Sequence, residues 1–149
     1  MLYPETVFVK ILLPTKPYLT REKSMVSVPT EKGPYMILPR RAPTMMLLKN
    51  GVIGLYETAD SAPEEYFVSQ GIVKVRDNGC SILVNRILPV ADADLNAVKN
   101  EIKTLKETFE KDNEKHTDNS YPHDYRAALQ SGQLSFLSMI EGYLEKTSA

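Results

Sequence analysis

The feature that most constrains the fold of this chain is a change in hydrophobic period near Pro89. Before it, short apolar segments alternate with clusters of Gly, Pro, Asn and Asp, and nine of the ten prolines lie in this part. After it, apolar residues recur every three or four positions. Closely spaced short strands predict a sandwich or barrel, whereas the longer period predicts helices. Strands followed by helices predict an α+β fold with segregated parts.

Eight strand segments are predicted in the first part, and eight to ten short strands are expected in all. The segments are Thr6–Leu13, Lys23–Val28, Tyr35–Leu38, Thr44–Leu48, Val52–Glu57, Glu65–Ser69, Ile72–Arg76 and Ser81–Val84. Pro14, Pro29 and Pro39 each end a segment, because proline lacks the N–H that a strand ladder uses. The Met45–Leu48 run is interpreted as a core strand rather than an exposed binding surface.

Two amphipathic helices are predicted after Pro89. Asp92 and Asp94 are placed to cap the first, whose apolar stripe is Leu95, Val98, Ile102, Leu105 and Phe109. The wholly polar segment Lys111–Ser120 is interpreted as a loop. The second helix is predicted to begin near Ser120. Ser131–Gly132 in its middle predicts a bend or fraying, since a helical glycine costs about 1 kcal/mol relative to alanine.

Composition excludes several classes of protein. The formal net charge of -1 is not that of a strongly basic nucleic-acid binder. No apolar run approaches the roughly 20 residues of a membrane span, and a single cysteine excludes an internal disulfide framework. Residues 1–90 carry a net charge of +3 and residues 91–149 a net charge of -4, so the two parts differ in kind.

Residues for catalysis are hard to find. Cys80 lies in a predicted strand with no histidine near it in sequence, and is interpreted as a small core residue. His116 and His123, with Asp118 and Asp124, match no usual metal-ligand spacing and are interpreted as solvated loop residues. No phosphate-binding glycine loop occurs. We therefore predict no catalytic residue, metal or cofactor, and binding is favoured over catalysis.

Arg40 and Arg41 stand out because proline flanks them on both sides, at Pro39 and at Ala42–Pro43. Two interpretations remain open. The pair is either solvated on a turn, or held rigidly so that its positive charge meets a partner. Flanking prolines favour the second, since they reduce the entropy lost on binding.

Three segments resemble the epsilon subunits of ATP synthases. Gly33–Pro43 resembles the family stretch G-x-x-G-I-L/Y-P-G-H-A-P, and Phe67–Val75 resembles y-v-S-G-G-f-l-e-V. Cys80–Val84 is similar to the v-t-v-L-a strand that precedes the first helix in that family. The order of these segments and the two-helix tail extend the resemblance over nearly the whole chain.

The sequence departs from the family pattern at three glycines. Arg40–Arg41 stands where the family has Gly-His, Met36 replaces the glycine before Ile37, and Gln70 replaces the first of two glycines. These departures leave the geometry of the turns open, and with it the contact with a partner.

The resemblance implies a ten-stranded β-sandwich over residues 1–90, followed by a two-helix antiparallel hairpin over residues 91–149. It implies a non-catalytic central-stalk subunit of a proton-translocating F-type ATP synthase, which couples the c-ring to the gamma subunit. Such a subunit is peripheral to the cytoplasmic side of the bacterial inner membrane and reaches the membrane only through the complex. The implied partner-binding residues are Glu31, Lys32, Gly33, Pro39, Arg40, Arg41, Ala42 and Pro43. The alternative is a free-standing β-sandwich module that binds proteins.

In many bacterial members of this family the hairpin regulates ATP hydrolysis, and an I/L-D-x-x-R-A motif at the first helix holds ATP. The aligned residues here are Leu95, Asn96 and Lys99, with Arg126 in the second helix. Asn96 lacks a carboxylate and Lys99 lacks the bidentate fork of arginine. The resemblance therefore predicts poor ATP affinity, and the acidic tail predicts weak docking on the alpha and beta subunits.

Overall fold

Alternating burial along the first strands shows how the sequence builds a layered core. Val7, Val9 and Ile11 are buried, while Phe8 and Lys10 between them are exposed, as expected of a strand with one face in the core. The structure is a computed structural model that describes residues 6–115 and 123–147, the side chains of 109 and 111–131 excepted.

Within residues 6–115 and 123–147, ten strands form two five-stranded sheets that pack face to face. The strands are β1 Val7–Leu12, β2 Pro17–Lys23, β3 Met25–Thr30, β4 Gly33–Ile37, β5 Thr44–Leu48, β6 Gly51–Tyr56, β7 Glu64–Val68, β8 Gly71–Arg76, β9 Gly79–Val84 and β10 Ile87–Pro89. Sheet A has the order β2-β1-β9-β8-β5, and sheet B has the order β10-β7-β6-β3-β4. Within sheet A, β1 runs parallel to β9, and the other neighbours are antiparallel.

The core lies between the two sheets and is built almost wholly of aliphatic side chains. Sheet A contributes Val9, Ile11 and Ile82, and sheet B contributes Ile37 and Ile53, each fully buried. This arrangement confirms the predicted β-sandwich. Removing such side chains from water is the main source of stability for a domain of this size.

The predicted strand Lys23–Val28 is wrong as a single element. β2 ends at Lys23 and β3 begins at Met25, because the chain passes from sheet A to sheet B at Ser24. There the Ser24 N–H donates to the Tyr56 carbonyl (2.8 Å) and its hydroxyl donates to the Glu57 carbonyl (2.7 Å).

The prediction that Pro29 ends its strand is also wrong. β3 continues to Thr30, with Pro29 buried and opposite Pro34 on β4. The Pro29 carbonyl accepts a hydrogen bond from the Lys49 N–H (3.2 Å), so the residue that cannot donate still takes part through its acceptor.

Two helices follow a short 3₁₀ turn at Val90–Asp92. They are α1 Leu95–Lys115 and α2 His123–Thr147. Asp94 caps α1 as predicted: its carboxylate accepts the Asn96 N–H (3.2 Å) and its carbonyl accepts the Val98 N–H (3.0 Å). The helices pack against each other, and Lys99 near the start of α1 pairs with Glu145 near the end of α2 (3.5 Å). This pairing is that of an antiparallel hairpin.

The extent of both helices differs from the prediction. α1 continues to Lys115, so Lys111–Lys115 is not a loop; lysine and glutamate are good helix formers whether or not an apolar stripe is present. The remaining residues 116–120, with the predicted start of the second helix, lie outside the described part. α2 runs through Ser131–Gly132 without a break in helix.

The chain divides into two compact units, Met1–Asp92 and Ala93–Ala149. The core cluster of the sandwich contains residues of the first unit alone. Among the described side chains of the second unit, those that are buried are Val98, Ile102, Phe136, Leu137 and Ile140. Each unit thus has its own set of buried apolar residues.

Candidate partner-binding surface

The loop between β4 and β5 carries the two arginines singled out in the sequence. It leads from an edge strand of sheet B to an edge strand of sheet A. Arg40, Arg41, Ala42 and Pro43 are all exposed on this loop, and Pro39 is half-buried. The Thr44 hydroxyl donates to the Ala42 carbonyl (2.8 Å), which fixes the end of the loop where β5 begins. We call residues 39–43 the arginine loop.

Arg40 adopts a left-handed backbone conformation, with φ of 65°. The family pattern has glycine at this position, and glycine is the residue that reaches positive φ without strain. The turn therefore keeps a glycine-like backbone although arginine occupies it. The Arg40 N–H donates to the side-chain oxygen of Asn78 (3.0 Å), and Asn78 lies in the turn between β8 and β9.

Arg41 stacks on an aromatic ring. Its guanidinium carbon lies 4.6 Å from the centroid of the Tyr35 ring, within the range of a cation–π contact. Tyr35 on β4 is half-buried and packs against the sandwich core. The charge of Arg41 is thus exposed but its position is constrained.

The second predicted contact region is the tip of the β3–β4 hairpin. Glu31 and Lys32 form its two-residue turn and are both exposed. The Thr30 hydroxyl donates to the Gly33 carbonyl (2.7 Å), and Gly33 has φ of 109°, which only glycine adopts readily. The hairpin tip is therefore a tight, charged turn.

The structure does not bring the two predicted regions together. The hairpin tip precedes β4 and the arginine loop follows it, so the length of β4 separates them. At about 3.3 Å per residue, Gly33 and Ile37 are about 13 Å apart along the strand. The predicted contact residues therefore form two separate surfaces, not one combined site.

The outer face of sheet A was not anticipated from the sequence. It presents five exposed apolar side chains: Phe8, Met45, Leu47, Ile72 and Leu83. We call this set the apolar face of sheet A. Met45 and Leu47 alternate with the inward residues Met46 and Leu48, so the Met45–Leu48 run is only half core. Met45 and Leu47 are 66% and 71% exposed, values unusual for such side chains in a packed strand.

The strand registers show that part of this apolar face is continuous. Leu47 lies opposite Ile72, and Ile72 lies opposite Leu83, so one row crosses β5, β8 and β9. Lys74 and Met45 are opposite each other in the next row, which adds positive charge. An exposed apolar patch edged by charge is typical of a protein-interaction surface. The arginine loop adjoins it, because β5 starts directly after Pro43.

Chemistry at the cysteine is opposed by its environment. Cys80 is buried in the sandwich core, and burial raises the pKa of its thiol to about 12. A thiol with so high a pKa is almost wholly protonated near neutral pH and makes a poor nucleophile. This burial confirms its interpretation as a core residue.

An ion network ties the edge strand β2 to sheet B. Lys23 lies 2.7 Å from a Glu57 oxygen and 3.5 Å from a Glu64 oxygen, and Arg21 lies 3.8 Å from Glu64. The Tyr66 hydroxyl donates to Glu64 and, with the two cations, lowers the pKa of this carboxyl group against the effect of burial. The hydrogen bond to Glu57 is the main cause of the raised pKa of Lys23. The network is placed to hold the two sheets together.

The residues aligned with the ATP motif belong to the helical unit. Leu95 is the first residue of α1 and is half-buried, and the Asn96 N–H is used in the helix cap. The Lys99 ammonium group pairs with Glu145 on α2. The Arg126 side chain lies outside the described residues. The sequence itself shows that Asn96 has no carboxylate and that Lys99 has no bidentate guanidinium group. Poor affinity for ATP stays a prediction.

Within the described residues, no helix is both long and apolar enough to cross a membrane. In the same part of the chain, no three His, Cys, Asp or Glu residues are grouped so as to hold a metal ion.

A family model decides the relationship of this chain to known proteins. The model describes the β-sandwich domain of the ATP synthase delta/epsilon chain, and it matches residues 6–90. The chain belongs to this family. The match covers the sandwich as the structure has it, up to β10, and confirms the resemblance to epsilon subunits drawn from the sequence.

Curated relatives carry the name ATP synthase epsilon chain. The protein from Gluconacetobacter diazotrophicus is 26% identical over 103 residues, which are 69% of this chain and 72% of the relative. The protein from Granulibacter bethesdensis is 31% identical over 83 residues, 56% of this chain and 61% of the relative. The protein from Ruegeria is 25% identical over 115 residues, covering 75% of this chain and 82% of the relative.

Solved structures share the fold at low identity. A chain of the Euglena gracilis mitochondrial ATP synthase, from its OSCP/F1/c-ring assembly, has a TM-score of 0.68 at 14% identity, covering 97% of this chain and 84% of the other. A chain from the central stalk and c-ring of the Tetrahymena thermophila mitochondrial ATP synthase has a TM-score of 0.53 at 14% identity, covering 93% and 98%. These matches extend the shared fold to both units.

Proposed function

We propose that this chain is a non-catalytic central-stalk subunit of a proton-translocating F-type ATP synthase, and that it couples the c-ring to the gamma subunit. The observation that carries the proposal is the apolar face of sheet A beside the arginine loop, on a chain of the delta/epsilon family. A surface of this kind needs a protein partner to cover it. The neighbouring structure from Tetrahymena comes from a central stalk and c-ring, which supports this choice of partner.

The two contact regions suit two partners. The gamma subunit is assigned to the apolar face of sheet A and the arginine loop, where apolar contact and fixed positive charge lie side by side. The c-ring is assigned to Glu31, Lys32 and Gly33 at the hairpin tip, a charged turn suited to polar loops. Separate regions on a rigid sandwich allow one domain to hold both partners at once. This is what a coupling subunit requires.

The location follows from the assembly. The chain is proposed to be peripheral to the cytoplasmic side of a bacterial inner membrane and to reach the membrane only through the complex. The curated relatives named above are bacterial epsilon chains, which supports the bacterial setting. No nucleic-acid partner and no cofactor are proposed.

The helical hairpin is proposed as a weak regulator through the alpha and beta subunits. Its Lys99 is paired with Glu145 inside the hairpin, and its net charge is negative. Both features disfavour ATP phosphates and an acidic partner as ligands of this surface. The proposal is therefore of a tail whose regulatory effect is small and independent of ATP.

The experiment reverses the charge of the loop. Arg40→Glu with Arg41→Glu, in reconstituted membranes, is expected to uncouple ATP hydrolysis from proton pumping while the isolated chain stays folded. Lys16→Glu with Lys103→Glu is a control of equal charge change, because both lysines are exposed and lie outside the arginine loop, the hairpin tip and the apolar face of sheet A. Pumping that equals wild type in the Arg40/Arg41 variant would show that these arginines are merely solvated.

Co-purification separates the proposed function from the alternative of a free-standing binding module. The tagged chain, recovered from detergent-solubilised membranes, is expected to bring the gamma subunit and the c-ring with it. Recovery without any ATP synthase subunit would contradict the proposal and favour the module.

A further inference from the structure

One asparagine joins three segments that are far apart in the sequence. The backbone carbonyl of Asn78 accepts the Phe8 N–H (3.0 Å), next to the start of β1. Its side-chain oxygen accepts the Arg40 N–H (3.0 Å), and its side-chain nitrogen donates to the Thr6 carbonyl. The β8–β9 turn, the entry to β1 and the arginine loop are thus fastened through a single residue.

Asparagine suits this position for two reasons. Asn78 has φ of 63°, and asparagine is among the few residues other than glycine that adopt this conformation at small cost. Its amide offers a donor and an acceptor on one short side chain. Aspartate at this position would keep the acceptor for the Arg40 N–H but lose the donor to the Thr6 carbonyl. Glycine would adopt the same backbone conformation but make neither side-chain hydrogen bond.

The hydrogen bond from the Arg40 N–H to Asn78 stabilises the strained residue of the arginine loop. Arg40 is itself in the left-handed region, which an arginine does not favour. Holding its N–H in place also fixes the direction in which the next residue leaves. That residue is Arg41, whose guanidinium lies over Tyr35. The two arginines are therefore held in one arrangement before any partner arrives, which lowers the entropy lost on binding.

We propose that Asn78 is a positioning residue for partner recognition, which holds the arginine loop in the conformation that the gamma subunit binds. This proposal rests on the proposed function. The role is distinct from that of the arginines, since Asn78 acts through the backbone of the loop and not through charge.

The test compares glycine substitutions at two neighbouring turn residues in the full chain. Asn78→Gly keeps the left-handed backbone and removes both side-chain bonds. Asp77→Gly is the matched control, because Asp77 also has positive φ (50°) and its carboxylate pairs with Arg76 in the same turn. Binding to the purified gamma subunit of the same organism is measured by biolayer interferometry. Asn78→Gly is expected to weaken binding to the gamma subunit about fivefold, the effect of losing one ordinary hydrogen bond, since only one of the two bonds reaches the arginine loop. Asp77→Gly is expected to leave this affinity within about twofold of wild type.

A double-mutant cycle separates positioning from general stability. In a chain with Arg40→Ala and Arg41→Ala, the loop has no arginines to position, so Asn78→Gly is expected to have no further effect on binding. The conservative variant Asn78→Asp keeps the acceptor for the Arg40 N–H and is expected to lose less affinity than Asn78→Gly. The same loss from Asn78→Gly in both backgrounds would overturn the proposal, because the effect would not pass through the arginines.

Hydrogen exchange gives a second measurement that needs no partner. The Arg40 amide is expected to exchange at least about tenfold faster in Asn78→Gly than in wild type or Asp77→Gly, since its acceptor is gone. Unchanged exchange would overturn the proposal.

The two proposals fail differently. If wild type does not bind the gamma subunit, the proposed function is overturned and this inference with it. If wild type binds and Asn78→Gly binds equally well, only the inference about Asn78 is overturned.

Discussion

Arg40 occupies a left-handed backbone conformation that glycine adopts readily and that only a few per cent of other residues adopt. A left-handed φ destabilises the folded state by about 1–2 kcal/mol for a residue with a Cβ atom, and glycine avoids this strain. Glycine also loses more conformational entropy on folding, which offsets about 0.5–1 kcal/mol of the gain. Arg40→Gly is therefore expected to raise the free energy of unfolding by about 0.5–1 kcal/mol. Urea unfolding of the full chain, followed by the circular dichroism of the β-sheets, measures the change.

Arg41→Gly serves as the control at the residue scale. Arg41 is not among the described residues with positive φ, and its side chain lies over Tyr35. Glycine there relieves no strain and removes the cation–π contact, so it is expected to lower the free energy of unfolding by about 1 kcal/mol. A loss of stability in both variants would contradict the account of strain at Arg40.

Glu64 makes the stability of the sandwich depend on pH. Its pKa in the folded chain lies below the ordinary value of 4.5, chiefly because of the hydrogen bond from Tyr66 and aided by Arg21 and Lys23. A lowered pKa contributes stability above the unfolded value, which is lost as the pH falls through the folded value. Glu64→Gln is thus expected to be less stable than wild type at neutral pH, with the difference narrowing in acid.

Urea unfolding at a series of pH values from about 7 to about 3 measures this dependence. Glu65→Gln is the control, since Glu65 lies opposite Gly54 and not in the ion network. A difference between wild type and Glu64→Gln that stays constant down to acid pH would contradict the role of the charge.

At the scale of elements, substitution by alanine is expected to lower stability at a crowded glycine in the sandwich and to raise it at an open glycine in α2. A Cβ atom on Gly71 would lie 2.0 Å from the Leu83 carbonyl oxygen, where β8 and β9 run side by side. Gly71→Ala must force these strands apart and is expected to lower the free energy of unfolding by about 3 kcal/mol. Calorimetric melting of the variant measures the effect. A stability equal to wild type would mean that the strand pair adjusts freely.

Gly132 is the matched case within a helix. A Cβ atom there would meet nothing within 4 Å, and α2 is helical on both sides. Gly132→Ala is therefore expected to stabilise the helical unit by about 1 kcal/mol, since alanine has the higher helix propensity. Thermal melting followed at a helical circular dichroism band measures this. Destabilisation would show that the helix needs the glycine.

The elements that the sequence predicted are those whose pattern is strong within a few residues. Alternation at Val7, Val9 and Ile11 marked β1, and the Asp94 cap marked the start of α1. β2 was missed because it is an exposed, charged edge strand, in which nothing alternates. The helical segment Lys111–Lys115 was missed because polarity alone does not distinguish a helix from a loop.

The sequence predicted only those parts of the candidate surface whose residues are neighbours in the chain. The prolines around Arg40 and Arg41 suggested a rigid loop. Asn78 could be read only as a turn residue, because its bond to Arg40 depends on how β4, β5 and β8 pair. The outward direction of Met45 and Leu47 likewise depends on which face of sheet A the core covers, and a run of four apolar residues does not indicate that.

On the scale of the whole molecule, the separate sets of buried residues predict that the sandwich is independent of the helices. Among the residues that the structure describes, the buried members of the core cluster end at Val84, and Ile87 packs against them. A chain ending at Asp92 is therefore expected to unfold in one cooperative transition with β-type circular dichroism. Differential scanning calorimetry tests this. A broad, non-cooperative melt would show that the sandwich depends on residues 93–149.

The parallel pairing of β1 with β9 has a consequence for how the chain acquires its structure during synthesis. Val9 on β1 lies beside Cys80 on β9 in sheet A. The first strand to be synthesised therefore cannot complete its pairing until β9, the last but one strand of the sandwich, has been made. Until then β1 has only the edge strand β2 as a neighbour, and its apolar side chains remain open to other nascent chains. Pairing between such distant segments also slows folding, to milliseconds or longer for sandwiches of this kind. The stage most open to aggregation is thus the interval on the ribosome before residue 84 has emerged.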